Sequence, residues 1–349
     1  MSVGGCRPTV DDKTMKEIFR EPFVLECGAV LPEVEVEYTT YGTLSPAKDN
    51  IIWVCHALTA DSRVADWWNN TVEEGKFLDP ARWYVICANI LGSPYGTTSP
   101  VSINPATGKQ YGAEFPMITV RDMVALHRRL AQRLGIEHVE LLVGSSIGGF
   151  QCMEWAIADP DFARRVALIA TCTRSSAWAI AFNESQRMAI EADQTFHTDD
   201  PEGGLAGMAV ARSIALLSYR GAEAYNATQT DPDGEKLEGF RVTTYQQHQG
   251  EKLRRRFNAH CYYRLSQAVD SHNIARGRGS VEEALRQIRA KALVVAITSD
   301  ILFPPSDHTV MVENIPSVEY RLIDSPFGHD GFLVEGEQLD AIIASFMKE

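Results

Sequence analysis

Gly144-Ser145-Ser146-Ile147-Gly148 sets a serine between two glycines, with one residue on either side of it. At that spacing a serine can serve as an acyl-transfer nucleophile. Flanking glycines let a helix pass close to the preceding strand, and the central hydroxyl is pushed out at the helix N-terminus. Two serines compete for the central place. Ser145 would be flanked by the bulky Val143 and Ile147, whereas Ser146 is flanked by Gly144 and Gly148, which selects Ser146. A serine hydroxyl is a weak nucleophile near neutral pH, so it needs a base, and the base needs an orienting acid. At an elbow of this kind the chain order is serine, acid, histidine. Asp300 closes the run Val294-Val295-Ala296-Ile297-Thr298-Ser299, and His329 lies in the loop after the next apolar run. Asp307 and Asp324 are weaker acids, since neither directly ends a strand aimed at the site. Asp330 adjoins His329 too closely to orient its ring and leave the other nitrogen for Ser146. The oxyanion of an acyl-transfer intermediate needs prearranged N–H donors. These are expected from the backbone of Ile147 and of Leu58, with Thr59 as the alternative, in His56-Ala57-Leu58-Thr59-Ala60. His56 precedes the serine and ends a strand, so it is expected to brace this loop.

These groups must be held by elements with readable patterns. Val139-Glu140-Leu141-Leu142-Val143 reads as the buried strand before the elbow, and the residues from Gly149 read as the helix after it. Residues 51–55, 83–88, 166–170, 292–297 and 318–323 are further apolar runs of strand length. Residues 119–134 repeat at helical spacing and stop at Gly135, and residues 339–347 close as a helix. Residues 23–27 and 34–41 alternate as an antiparallel hairpin would. Short buried strands alternating with helices predict an α/β fold with a mostly parallel central sheet covered on both faces. The segment 175–289 breaks the alternation with amphipathic helical patches at 177–192 and 205–217 and a polar stretch near 228–239. It is expected to form a helical cap over a core built from residues 1–174 and 290–349.

The formal net charge of −13 is spread along the 349 residues, which argues against a nucleic-acid or anionic-membrane partner. The seven cysteines are odd in number and contain no C-x-x-C pair. They read as small buried hydrophobes in a reducing compartment. Residues 1–10 show no signal-peptide pattern, and no run is long and apolar enough to span a membrane, so a cytoplasmic protein is expected. Nothing points to a metal, for there is no H-x-x-x-H or Cys/His cluster.

Further motifs carry a family resemblance. They are His56-Ala57-Leu58-Thr59, Trp67-Trp68, Asn89-Ile90-Leu91-Gly92-Ser93 and Gly96-Thr97-Thr98-Ser99-Pro100, with the runs 181–193, 262–278 and Gly328-His329-Asp330-Gly331-Phe332. Together they resemble the homoserine O-acetyltransferases of the α/β-hydrolase superfamily, from about Phe23 to Phe346. The resemblance implies transfer of an acetyl group from acetyl-CoA to L-homoserine by a ping-pong route in methionine biosynthesis, with no permanently bound cofactor. It implies Ser146, His329 and Asp300 as the catalytic triad. Arg212, helped by Tyr219, would bind the homoserine carboxylate, and Asp330 would bind its ammonium. It also implies a homodimer packed through the cap helices. The family's Gly before the nucleophile and Met after it are replaced here by Ser145 and Ile147, and Ala60 stands where the family has Gly. These positions bear on the acyl group, acetyl or succinyl, and on the acceptor, homoserine or serine. Hydrolysis of small esters is the competing chemistry on the same triad, and a catalytically silent scaffold is the reading from another class.

Overall fold

The computed structural model describes residues 12–68 and 70–348; Cys6 and the stretch read for a targeting signal lie outside the described residues. The strands are β1 (Asp12–Phe19), β2 (Phe23–Val24), β3 (Val30–Leu31), β4 (Val34–Tyr41), β5 (Ile51–Cys55), β6 (Tyr84–Ala88), β7 (Val139–Ser145), β8 (Ala163–Ile169), β9 (Lys291–Ile297) and β10 (Val318–Ile323). Eight of them form one sheet in the order β1-β4-β6-β5-β7-β8-β9-β10. Pairing is parallel from β6 through β10 and antiparallel at the β1–β4 and β4–β6 ladders. Every side chain of β5 is buried, as a strand covered on both faces requires. Two apolar clusters flank the sheet, one built around Trp53, Phe150 and Trp155 and the other around Trp68, Val143 and Phe332.

One strand pairing differs from the expected hairpin. β4 pairs with β1, while residues 23–24 pair only with 30–31 in a separate two-stranded ribbon. Gly28, at φ 88°, turns the chain back before residues 23–27 can reach β4. β1 lies at the edge of the sheet, and its charged, mostly exposed residues mask its alternation.

The helices are α1 (Val64–Trp67), α2 (Val120–Arg133), α3 (Ile147–Ala158), α4 (Ala177–Glu191), α5 (Leu205–Tyr219), α6 (Ala222–Gln229), α7 (Arg241–Arg254), α8 (Ala259–Asp270), α9 (Val281–Leu285), α10 (Thr309–Asn314), α11 (Gly331–Val334) and α12 (Gly336–Phe346). α2 begins at Thr119, whose side chain and that of Asp122 cap each other's backbone N–H groups. Between β8 and β9 the chain enters a helical layer through a paired neck. There the Ser175 N–H donates to the His272 carbonyl and the Ile274 N–H donates to the Thr173 carbonyl. Within the layer, Asp270 on α8 takes Asn183 at 2.7 Å and Arg187 at 2.6 Å from α4. The Tyr262 hydroxyl donates to Gln186 at 2.5 Å. Below the neck, Arg278 and Arg121 converge on the buried Glu154 of α3, at 2.6 and 3.2 Å. Thus the runs 181–193 and 262–278 lock the helical layer together and seat it on α3.

Cys55, Cys87, Cys152, Cys172 and Cys261 are buried, whereas Cys27 is exposed, contrary to the reading of the cysteines as buried hydrophobes. It sits in the turn after β2, where its thiol donates to the Met117 carbonyl.

Candidate active site

Ser146 occupies the junction of β7 and α3 at φ 56°, ψ −126°. This is a conformation that a residue with a Cβ adopts at a cost of about 1–3 kcal/mol. The surroundings hold it there. The Ser146 N–H donates to the Ile169 carbonyl at 3.0 Å. The Ser146 carbonyl accepts from Gly149 N–H at 2.9 Å and from the Thr171 hydroxyl at 3.0 Å. The flanking glycines are required by space. A Cβ on Gly144 would strike the backbone of Gly148, and one on Gly148 would strike the carbonyl of Cys55.

Asp300 lies in the turn after β9 and is 3% exposed. Its Oδ1 accepts the N–H groups of Leu302 and Phe303 at 2.8 and 3.0 Å. Its Oδ2 lies 2.7 Å from Nδ1 of His329, which is likewise 3% exposed. A carboxylate only accepts, so Nδ1 carries the proton and Nε2 is the free base. Nε2 is buried and has no hydrogen-bond partner among the described residues. Phe303, Phe332 and Tyr219 box the imidazole, with ring centroids 5.2, 5.5 and 5.8 Å away. The weaker acids stand elsewhere. Asp324 accepts from Thr298 at 3.2 Å, and neither it nor Asp307 pairs with His329.

His56 is fully engaged by backbone. Its Nδ1 lies 2.8 Å from the Ala57 carbonyl, and Ile90 N–H donates to its Nε2 at 3.1 Å. Burial pushes the imidazole below its usual pKa, so it is neutral, with the proton on Nδ1. With both nitrogens used, it cannot serve as a base and instead fixes the start of the 57–60 loop. No acceptor among the described residues takes the Leu58 N–H. Ile147 is the first residue of α3, where the N–H has no intrahelical partner.

These groups share a cavity of about 600 Å³ between core and helical layer, to which Leu58, Ser146, Arg212, Tyr219, His329 and Asp330 all contribute. Arg212 and Tyr219 come from α5, the guanidinium lying 5.4 Å from the ring centroid. Among the described residues no carboxylate pairs with Arg212, so its charge is unneutralised within the cavity. Burial pushes the Tyr219 phenol up, which keeps it neutral and able to donate. Asp330 is already paired, its Oδ2 lying 3.1 Å from Nε of Arg220. Arg220 and Arg256 also line the cavity and were not singled out by sequence reasoning. Arg220 follows Tyr219 directly, but its partner is 110 residues away, and no local spacing announces such a pair. Of the positions departing from the resembled pattern, Ala60 lines the cavity. Ser145 and Ile147 do not line it and are buried, at 0% and 1% exposure.

The α/β-hydrolase fold family model matches residues 50–336. The chain is 42% identical to a homoserine O-acetyltransferase of Cyclobacterium marinum over 344 residues, covering 98% of each chain. The crystal structure of a homoserine O-acetyltransferase from Bacillus anthracis superposes with a TM-score of 0.89 at 24% identity, covering 97% of this chain and 98% of that one. The acetyl esterase MekB superposes with a TM-score of 0.84 at 25% identity, covering 97% of both chains.

Proposed function

The chain belongs to the homoserine O-acetyltransferase family of the α/β-hydrolase fold, and on that premise we propose that Ser146, His329 and Asp300 carry an acetyl group from acetyl-CoA to the hydroxyl of L-homoserine. The observation that carries this reading is one cavity holding Ser146, an imidazole set on a carboxylate, and the unneutralised Arg212.

Nε2 of His329 takes the Ser146 proton as Oγ attacks the thioester carbonyl. The N–H groups of Leu58 and Ile147 face the oxygen that becomes negative. The C–S bond then breaks, and the CoA sulfur leaves with the proton held by His329. In the second half His329 takes the proton of the homoserine hydroxyl, whose oxygen attacks the acyl-enzyme. Collapse returns the serine oxygen, which recovers that proton. Asp300 holds the ring and offsets its charge while it is protonated.

Water is the rival acceptor for the same acyl-enzyme, so selectivity must come from binding the amino acid. Its carboxylate suits Arg212, with which no carboxylate among the described residues pairs. Its ammonium suits Asp330, which Arg220 holds in place. Arg212→Ala is expected to lower kcat/KM for homoserine by about 10–100-fold, the worth of a charge-assisted hydrogen bond. Hydrolysis of an aryl acetate should change less than about threefold, about half of a tenfold step or roughly 0.7 kcal/mol. Equal losses in both assays would remove Arg212 from the acceptor site and leave an esterase as the better reading. A panel of homoserine, serine and water against acetyl- and succinyl-CoA ranks the acceptors and donors.

The large apolar residues Trp178 and Met188 on α4 and Val210 and Leu217 on α5 are exposed on the single chain. They support a homodimer packed through this layer. Sedimentation should give twice the chain mass, and a monomer at assay concentration would reject that packing. No helix among the described residues is long and apolar enough to cross a membrane.

A further inference from the structure

We propose that Arg256 is a positioning residue that braces the oxyanion loop from the helical layer, so that seating the layer on the core completes the oxyanion hole. This rests on the reading of Leu58 as an oxyanion donor.

Arg256 follows α7 and precedes Asn258, the N-cap of α8. It reaches 197 residues back along the chain to Thr59. Its Nη1 donates to the Thr59 carbonyl at 2.5 Å and to the Tyr95 hydroxyl at 2.6 Å, and its Nη2 lies 3.4 Å from the Thr59 hydroxyl. It pairs with no carboxylate among the described residues. Its fork is spent on neutral oxygens of one loop and one tyrosine.

Thr59 immediately follows Leu58. On its other side the loop is held by the turn from Ala60 N–H to the Ala57 carbonyl, and at its start by His56. Tyr95 is fixed in turn. Its carbonyl accepts from Asn89 at 2.6 Å, and its ring packs edge-on against Phe257 at 5.7 Å. Arg256 therefore bridges two core loops from a mount on the cap. The Thr59 carbonyl shares its peptide plane with the Ala60 N–H, which donates to the Ala57 carbonyl, and that carbonyl shares its plane with the Leu58 N–H; pinning Thr59 therefore steadies the aim of Leu58 through this turn. A lysine offers a point charge with no planar fork and cannot span both oxygens in the same way.

The test compares Arg256→Met, Arg256→Lys and Tyr95→Phe with the parent, using acetyl-CoA and an aryl acetate as donors. The loss of an oxyanion donor costs about 100-fold or more in kcat, and a loosened one is expected to cost about tenfold. Arg256→Met should show that fall in kcat with both donors, with KM little changed, and added guanidinium ion should recover part of it. Arg256→Lys should recover little, and Tyr95→Phe should fall between lysine variant and parent. The unfolding midpoint of each variant is measured alongside. A rise in KM for acetyl-CoA alone, with the aryl acetate unaffected, would overturn the proposal and make Arg256 a site for the donor's phosphates. Unchanged kcat with both donors would also overturn it. If Ser146→Ala retained activity, the acyl-enzyme reading itself would fail, separately from the brace.

Discussion

Replacing Ser146 with alanine is expected to lower acetyl transfer by about 10⁵-fold, because no other group in the cavity can hold the acyl group between donor and acceptor. The variant should fold normally. The Ser146 hydroxyl makes no hydrogen bond among the described residues, and its backbone contacts to Ile169 and Thr171 survive the change. The difference in unfolding free energy should be within about 0.5 kcal/mol, as for a substitution that removes no packed or bonded atom. Mass spectrometry after mixing with acetyl-CoA should find the acetylated chain in the parent and not in the variant. Turnover within about tenfold of the parent, a difference of only about 1.4 kcal/mol, would take Ser146 out of the chemistry.

Asp300→Asn is expected to cost about 10⁴-fold in kcat, the scale of losing the correct histidine tautomer. The structure gives a local reason. Oδ1 of Asp300 accepts from two backbone N–H groups, of Leu302 and Phe303, so an asparagine must keep its oxygen there. Its NH₂ then faces Nδ1 of His329, which has to accept, and the ring proton moves to Nε2. A protonated Nε2 cannot take the proton of Ser146. The same substitution at Asp307 or Asp324 should change kcat less than about threefold, as for polar residues outside the site. A comparable loss at either of them, with Asp300→Asn near normal, would reassign the acid.

Much of this site was legible along the chain because its parts are local. Gly144 and Gly148 flank Ser146 at fixed spacing, Asp300 closes an apolar run, and His329 follows the next one. The buried strands β5, β7 and β9 were readable for the same reason, since burial on both faces leaves an unbroken apolar string. The edge of the sheet was harder to read. β1 carries Asp12, Lys13 and Lys16 among its exposed positions, a composition that suits an unpaired edge and hides a strand. The pairs Arg220–Asp330 and Arg256–Thr59 were not readable, because they join segments 110 and 197 residues apart across the cavity between the helical layer and the sheet. Their residue types are ordinary ones, and only the packing of that layer on the sheet gives them partners.

The absence of side chains between α3 and the end of β5 has a consequence for how this active site can change. Gly148 lies so close to the Cys55 carbonyl that backbone meets backbone, and the 57–60 loop starts just beyond. The approach of Ser146 to the end of β5 is therefore set by two main chains, and a side chain at Gly148 would force them apart. Ala60, Arg212 and Tyr219 sit outside that contact, on the walls of the cavity. On the proposed roles, acylation and acceptor choice fall on separate parts of the molecule, and drift at the walls is expected to trade one nucleophilic acceptor for another, water included, while the acyl-enzyme still forms.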